Sequence, residues 1–78
     1  MENFVIYHYT IDFSYFNSKE LETVEESWQY TSIVPFHEMS DRLREVILRS
    51  IEIEIMGQKK CPSITIIDYN LENIEFLS

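Results

Sequence analysis

Between Phe4 and Phe16 the chain alternates strictly. Val5, Tyr7, Tyr9, Ile11, Phe13 and Tyr15 take the odd positions, while His8, Thr10, Asp12 and Ser14 hold the middle of the even ones. A period of two sends large side chains to one face of a pleated strand and polar ones to the other. The stretch therefore predicts a sheet with one packed face and one face turned to water or to a partner. It constrains the fold class and carries no reaction.

The rest of the chain completes one small domain. At 78 residues, folding hides only roughly 60–65% of the surface that the unfolded chain exposes. Net stability is expected near the bottom of the usual range, about 5 kcal/mol. That leaves little material for a deep catalytic cleft. Apolar residues make up 45% and aromatics 14% of the chain, with a single glycine and two prolines, a composition that argues against disorder and low complexity.

Asn17-Ser18-Lys19 is a turn signal. Residues Glu20 to Glu26 are acidic with only Leu21 and Val24 apolar, and fit either an extended hairpin arm or a helical turn, the extended form being preferred. Alternation returns from Glu26 to Val34, with Trp28, Tyr30 and Val34 on one side, which gives a second strand antiparallel to the first. Pro35 ends it, having no N–H for a ladder.

The period then changes. Phe36, Met39, Leu43, Val46, Ile47, Ile51 and Ile55 recur at steps of three and four, one stripe of an α-helix. Its start falls anywhere from Pro35 to Asp41, with Ser40 a possible cap, and Glu38–Arg42 and Glu45–Arg49 are i,i+4 pairs on its wet side. Ile51-Glu52-Ile53-Glu54-Ile55 also alternates and would suit a strand after Ser50. A helix to Met56 is preferred because Gly57, the one glycine, is placed for a left-handed cap.

Ser63 to Leu71 is rich in β-branched residues and reads as a third strand. The tail from Glu72 to Ser78 either docks on the sheet edge or forms a short fourth strand. The resulting class is α+β, in the order ββαβ. The most apolar strand is central, the sheet order is 2-1-3 with antiparallel neighbours, and one helix packs on the face made by Tyr7, Tyr9, Ile11 and Phe13.

Candidate chemistry is sparse. His8 and Asp12 are separated by about 13 Å along a strand and form no dyad. His37 and Glu38 are sequence neighbours and diverge by about 100° on a helix. Cys61, the lone cysteine, has no base at hand, and no ligand spacing suits zinc. No cofactor, metal or catalytic residue is expected. One cysteine also rules out an internal disulfide and suits a reducing, cytoplasmic setting. Neither a signal peptide nor a membrane-spanning apolar run is visible.

Charge is the remaining signal. Fourteen acids face six bases, a net charge of −8. Such a chain repels nucleic acid and anionic membrane and is drawn to basic surfaces. Glu20, Glu22, Glu25 and Glu26, with Trp28 and Tyr30, are the expected partner-binding residues on the hairpin. Glu52, Glu54, Asp68, Glu72 and Glu75 are expected to form a second acidic cluster. Phe4, Ile6 and Phe16 mark the ends of the polar sheet face.

In Tyr7-His8-Tyr9-Thr10-Ile11-Asp12-Phe13-Ser14-Tyr15, the helical stretch and Ser63-Ile64-Thr65-Ile66-Ile67-Asp68, the chain resembles small acidic proteins of phages and mobile elements, among them anti-CRISPR proteins. The resemblance is one of architecture, and no residue carries over from it. It implies a non-enzymatic inhibitor that binds a basic, nucleic-acid-handling defence complex of the host and blocks its nucleic-acid site. The alternative expectation is a structural or assembly module, a homodimer pairing sheets or edge strands, whose acidity serves solubility alone.

Overall fold

The structure, a computed structural model, describes residues 4–77. Strand β1 (Phe4–Asn17) is followed by β2 (Glu22–Ser32), a 3-10 turn (Phe36–Glu38), the helix α1 (Asp41–Lys59) and β3 (Thr65–Leu77). The three strands form one sheet in the order β2-β1-β3, and β1 is antiparallel to both neighbours. This is the α+β, ββαβ arrangement with the 2-1-3 order that the patterning predicts.

The alternation of β1 decides what is buried. Tyr9, Ile11 and Phe13 are covered, joined by Phe36, Met39, Ile51 and Ile55 from the turn and helix. Trp28 and Tyr30 from β2 and Ile66 and Tyr69 from β3 flank this core, half-buried. Phe36 is its keystone. Its ring stacks on Tyr9 at 4.2 Å, meets Tyr30 at 5.9 Å and takes Tyr69 edge-on at 5.0 Å. Its backbone N–H donates to the Tyr9 hydroxyl at 2.8 Å, so the one polar atom of that buried ring is satisfied by the turn it supports.

Several local expectations shift. The segment 20–26 is largely extended: β2 begins at Glu22, four residues earlier than the alternation alone suggests. It ends at Ser32, where the hydroxyl of Ser32 closes a small turn with Val34. Residues 36–38 form a separate 3-10 turn, and the helix starts at Asp41 behind Ser40, whose Oγ accepts from the Leu43 N–H at 3.2 Å. Glu38 therefore lies outside the helix, out of i,i+4 register with Arg42. Arg44 pairs with Asp41 instead and donates to the Phe36 and Met39 carbonyls, tying the turn to the helix. Arg49 pairs with Glu52 at 2.7 Å rather than with Glu45.

Gly57 does not cap the helix. The chain stays helical to Lys59, and Lys60 takes the left-handed position at φ 55 with its N–H on the Met56 carbonyl. The buried stripe is also rotated from the expected one. Ile47, Leu48, Ile51 and Ile55 pack inward, while Leu43 and Val46 are exposed. The tail makes no fourth strand: it continues β3 as one strand. Two register shifts, skipping Glu72 and Ile67, let β3 follow the twist of β1.

The helix is shorter than the sheet. Its 19 residues span about 28 Å, while the 14 residues of β1 span about 46 Å. Phe36 sits over Tyr9 and Lys59 reaches the level of Tyr15, so the roof covers the Tyr9–Tyr15 end. The other end overhangs, leaving Phe76 78% exposed and Ile74 also open on the helix side, while Phe4 and Leu77 are exposed on the opposite face.

Candidate functional site

Pairing across the sheet sorts every strand residue to a face, because directly opposite residues point the same way. Glu26 lies opposite Phe13, Trp28 opposite Ile11 and Tyr30 opposite Tyr9, all on the helix side. Glu25 lies opposite Ser14 on the open side, Glu22 opposite Asn17 at the strand start, and Glu20 in the turn, where its N–H and that of Lys19 approach Asn17 Oδ1. The six residues expected to form one partner-binding patch are thus divided between two faces and a turn. Consecutive residues on a strand diverge, and that separates Glu25 from Glu26.

Glu26 has an internal role. Its carboxylate accepts from Lys59 Nζ at 2.6 Å and from the Tyr15 hydroxyl at 2.6 Å. The hydrogen bond from Lys59, then that from Tyr15, holds its pKa below the ordinary 4.5. In return the hydrogen bond to Glu26 raises the pKa of Lys59, and the same carboxylate, followed by burial, raises that of Tyr15.

The second expected cluster is also split. Glu52 and Glu54 lie on α1, on one side of the sheet, whereas Asp68 and Glu75 lie on the other, opposite Asp12 and Ile6. His8 is on the open face and contacts Glu75 at 2.8 Å rather than Asp12. His37 and Glu38 are exposed in the 3-10 turn, and Cys61 is half-buried beyond the helix end. Among the described residues no group of three or more His, Cys, Asp or Glu side chains is placed to hold a metal. A cleft of about 590 Å³, lined by Tyr15, Lys19, Lys59, Lys60 and Cys61 among others, opens beside the hairpin turn, but Lys59 is committed there to Glu26.

What pairing does assemble is the open face. Its middle rows are His8, Thr10, Asp12 and Ser14 from β1, Glu25, Ser27, Gln29 and Thr31 from β2, and Asp68, Asn70, Asn73 and Glu75 from β3. Ser27 Oγ donates to Asp12 Oδ1 at 2.9 Å, and Asp68 Oδ1 accepts from the Tyr69 N–H at 2.8 Å. Asp12 and Asp68 stand directly opposite one another, an arrangement that costs stability when no cation intervenes. No lysine or arginine occurs in any of the three strands. All six bases, Lys19, Arg42, Arg44, Arg49, Lys59 and Lys60, sit in the hairpin turn or on the helix and its cap. The net charge of −8 is therefore concentrated on the sheet.

The Asp12–Asp68 pair was hidden from sequence reasoning because the two bulges of β3 set its register. The absence of bases from the strands was visible in the sequence and is the signal that points to this face.

No protein-family model, curated protein or solved structure matches the chain. Among the described residues no helix is long and apolar enough to cross a membrane.

Proposed function

We propose that this chain is a non-enzymatic binding protein whose open sheet face docks on a basic surface of a nucleic-acid-handling protein and occupies the place of the phosphate backbone. The partner class is the one an anti-defence inhibitor blocks. The observation that carries the reading is the segregation of charge: Asp12, Glu25, Asp68 and Glu75 share one face with no lysine or arginine in any strand. Asp12 and Asp68 keep like charges adjacent at a cost to folding, which a cationic partner would relieve on binding. Apolar side chains at both ends, Phe4 and Leu77 at one and Phe16 at the other, supply the desolvated contacts that a charged face lacks.

Affinity capture from a cell lysate tests it, using the wild type beside a variant carrying Asp12→Asn, Glu25→Gln, Asp68→Asn and Glu75→Gln. The wild type should retain basic nucleic-acid-binding proteins, release them to added duplex oligonucleotide, and weaken steeply with salt. Equal retention by the variant, or indifference to the oligonucleotide, would overturn the reading.

A further inference from the structure

The two edges of the sheet differ. The outer strand β3 is broken by two register shifts, at Glu72 and Ile67, which bend an edge away from further pairing. The outer strand β2 runs through eleven consecutive pairs with β1 without interruption. It contains no proline, lysine or glycine, and among the described residues no other strand lies beyond it. Its N–H and C=O groups on the outer side form a ladder that no bulge interrupts, with glutamates as its only charged residues.

We infer that the occupant of this edge is β2 of a second copy, paired antiparallel about Ser27 to make a continuous six-stranded sheet. The sequence of β2 favours an antiparallel arrangement, and Ser27, the midpoint of the strand, is the register that pairs all eleven of its residues. Parallel in-register stacking of two copies would set Glu22, Glu25 and Glu26 each against itself. The antiparallel register about Ser27 instead places Glu22 opposite Ser32, Thr23 opposite Thr31, Val24 opposite Tyr30, Glu25 opposite Gln29 and Glu26 opposite Trp28. No carboxylate stands directly opposite another, and the two Glu26 side chains, diagonal neighbours across the axis, are each already held by Lys59 and Tyr15. Thr–Thr and β-branched–aromatic partners are among the favourable cross-strand pairs. A two-fold axis perpendicular to the sheet keeps both helices on one side and joins the two open faces on the other. The pairing does not depend on the partner proposed above, and self-association is measured without it.

Sedimentation equilibrium and light scattering of the whole chain, up to about 1 mM, should show a dimer of twice the 9.4 kDa chain mass. Gln29→Glu and Thr31→Glu add the same charge to the same face, but only the first faces Glu25 of the second copy. Gln29→Glu should weaken the dimer about 2- to 30-fold through its two symmetric like-charge contacts, and Thr31→Glu by much less. Circular dichroism checks that both variants fold. Ser27→Cys in a Cys61→Ser background should cross-link to itself with a short thiol reagent. A monomer at every concentration overturns the inference. So does a dimer that responds equally to Gln29→Glu and Thr31→Glu or fails to cross-link at position 27, which would place the contact on the exposed helix stripe or the overhanging sheet end.

Discussion

Glu26 Oε1 and Lys59 Nζ lie 2.6 Å apart, and among the described residues this is the one ion pair that joins the sheet to the helix. Because Glu26 titrates below its ordinary 4.5 in the folded chain, its contribution to stability is complete above that value and is lost as pH falls through the folded pKa. Lys59 and Tyr15 are raised from 10.5 and 10.0, so their contributions are present at neutral pH and disappear as pH rises past those values. Glu26→Gln should therefore melt below wild type at about pH 7, with the gap closing toward about pH 3. Parallel melting temperatures across that range would refute the assignment.

Asp12 and Asp68 carry the opposite sign of effect. Replacing either by asparagine keeps the Oδ1 acceptor used by Ser27 or by the Tyr69 N–H and removes the cross-strand repulsion. Each single variant should gain about 0.2–1 kcal/mol in urea denaturation while losing affinity for a basic partner. A variant that loses stability would mean that the pair is not repulsive.

The Tyr9–Phe36 contact should be the most sensitive point of the fold. Phe36→Ala removes a ring that touches three others and should cost about 3–5 kcal/mol, most of what a chain this small possesses. Tyr9→Phe keeps the stacking but strands the Phe36 N–H, at about 1–3 kcal/mol. Denaturant midpoints for the two variants should fall in that order.

Backbone positions offer gains. A Cβ on Gly57 would meet nothing within 4 Å, so Gly57→Ala should stabilise the helix by about 0.5–1 kcal/mol. Leu21 and Lys60 hold φ near 55 without being glycine. Glycine at either should recover about 1 kcal/mol of the left-handed penalty. Thermal melts of the three single variants check this, and a fall in melting temperature for Gly57→Ala would reveal a neighbour on that side of the helix.

The strand order and the packed face were legible because alternation in β1 and the three-four spacing after Pro35 are local signals of burial. The helix rotation was less legible. Leu43 and Val46 are apolar yet exposed, and only the 3-10 turn at Phe36–Glu38, with Arg44 on its carbonyls, fixes which stripe faces inward. The helix end was not legible because glycine is only the commonest residue for a left-handed cap, and Lys60 takes that conformation here. The grouping of acids on faces depends on long-range register. The bulges at Glu72 and Ile67 change which side chains share a surface, and nothing in the local pattern announces them.

A pleated layer roofed along only part of its length cannot be equally firm throughout. The rows under Phe36 and Ile51 are anchored from above, whereas Phe4, Ile74 and Phe76 are held chiefly by their own ladder. Amide protons should exchange in a gradient, slowest around Ile11 and fastest toward the bare tip, so that fraying starts there and the charged middle rows are presented from the stiffest part of the molecule.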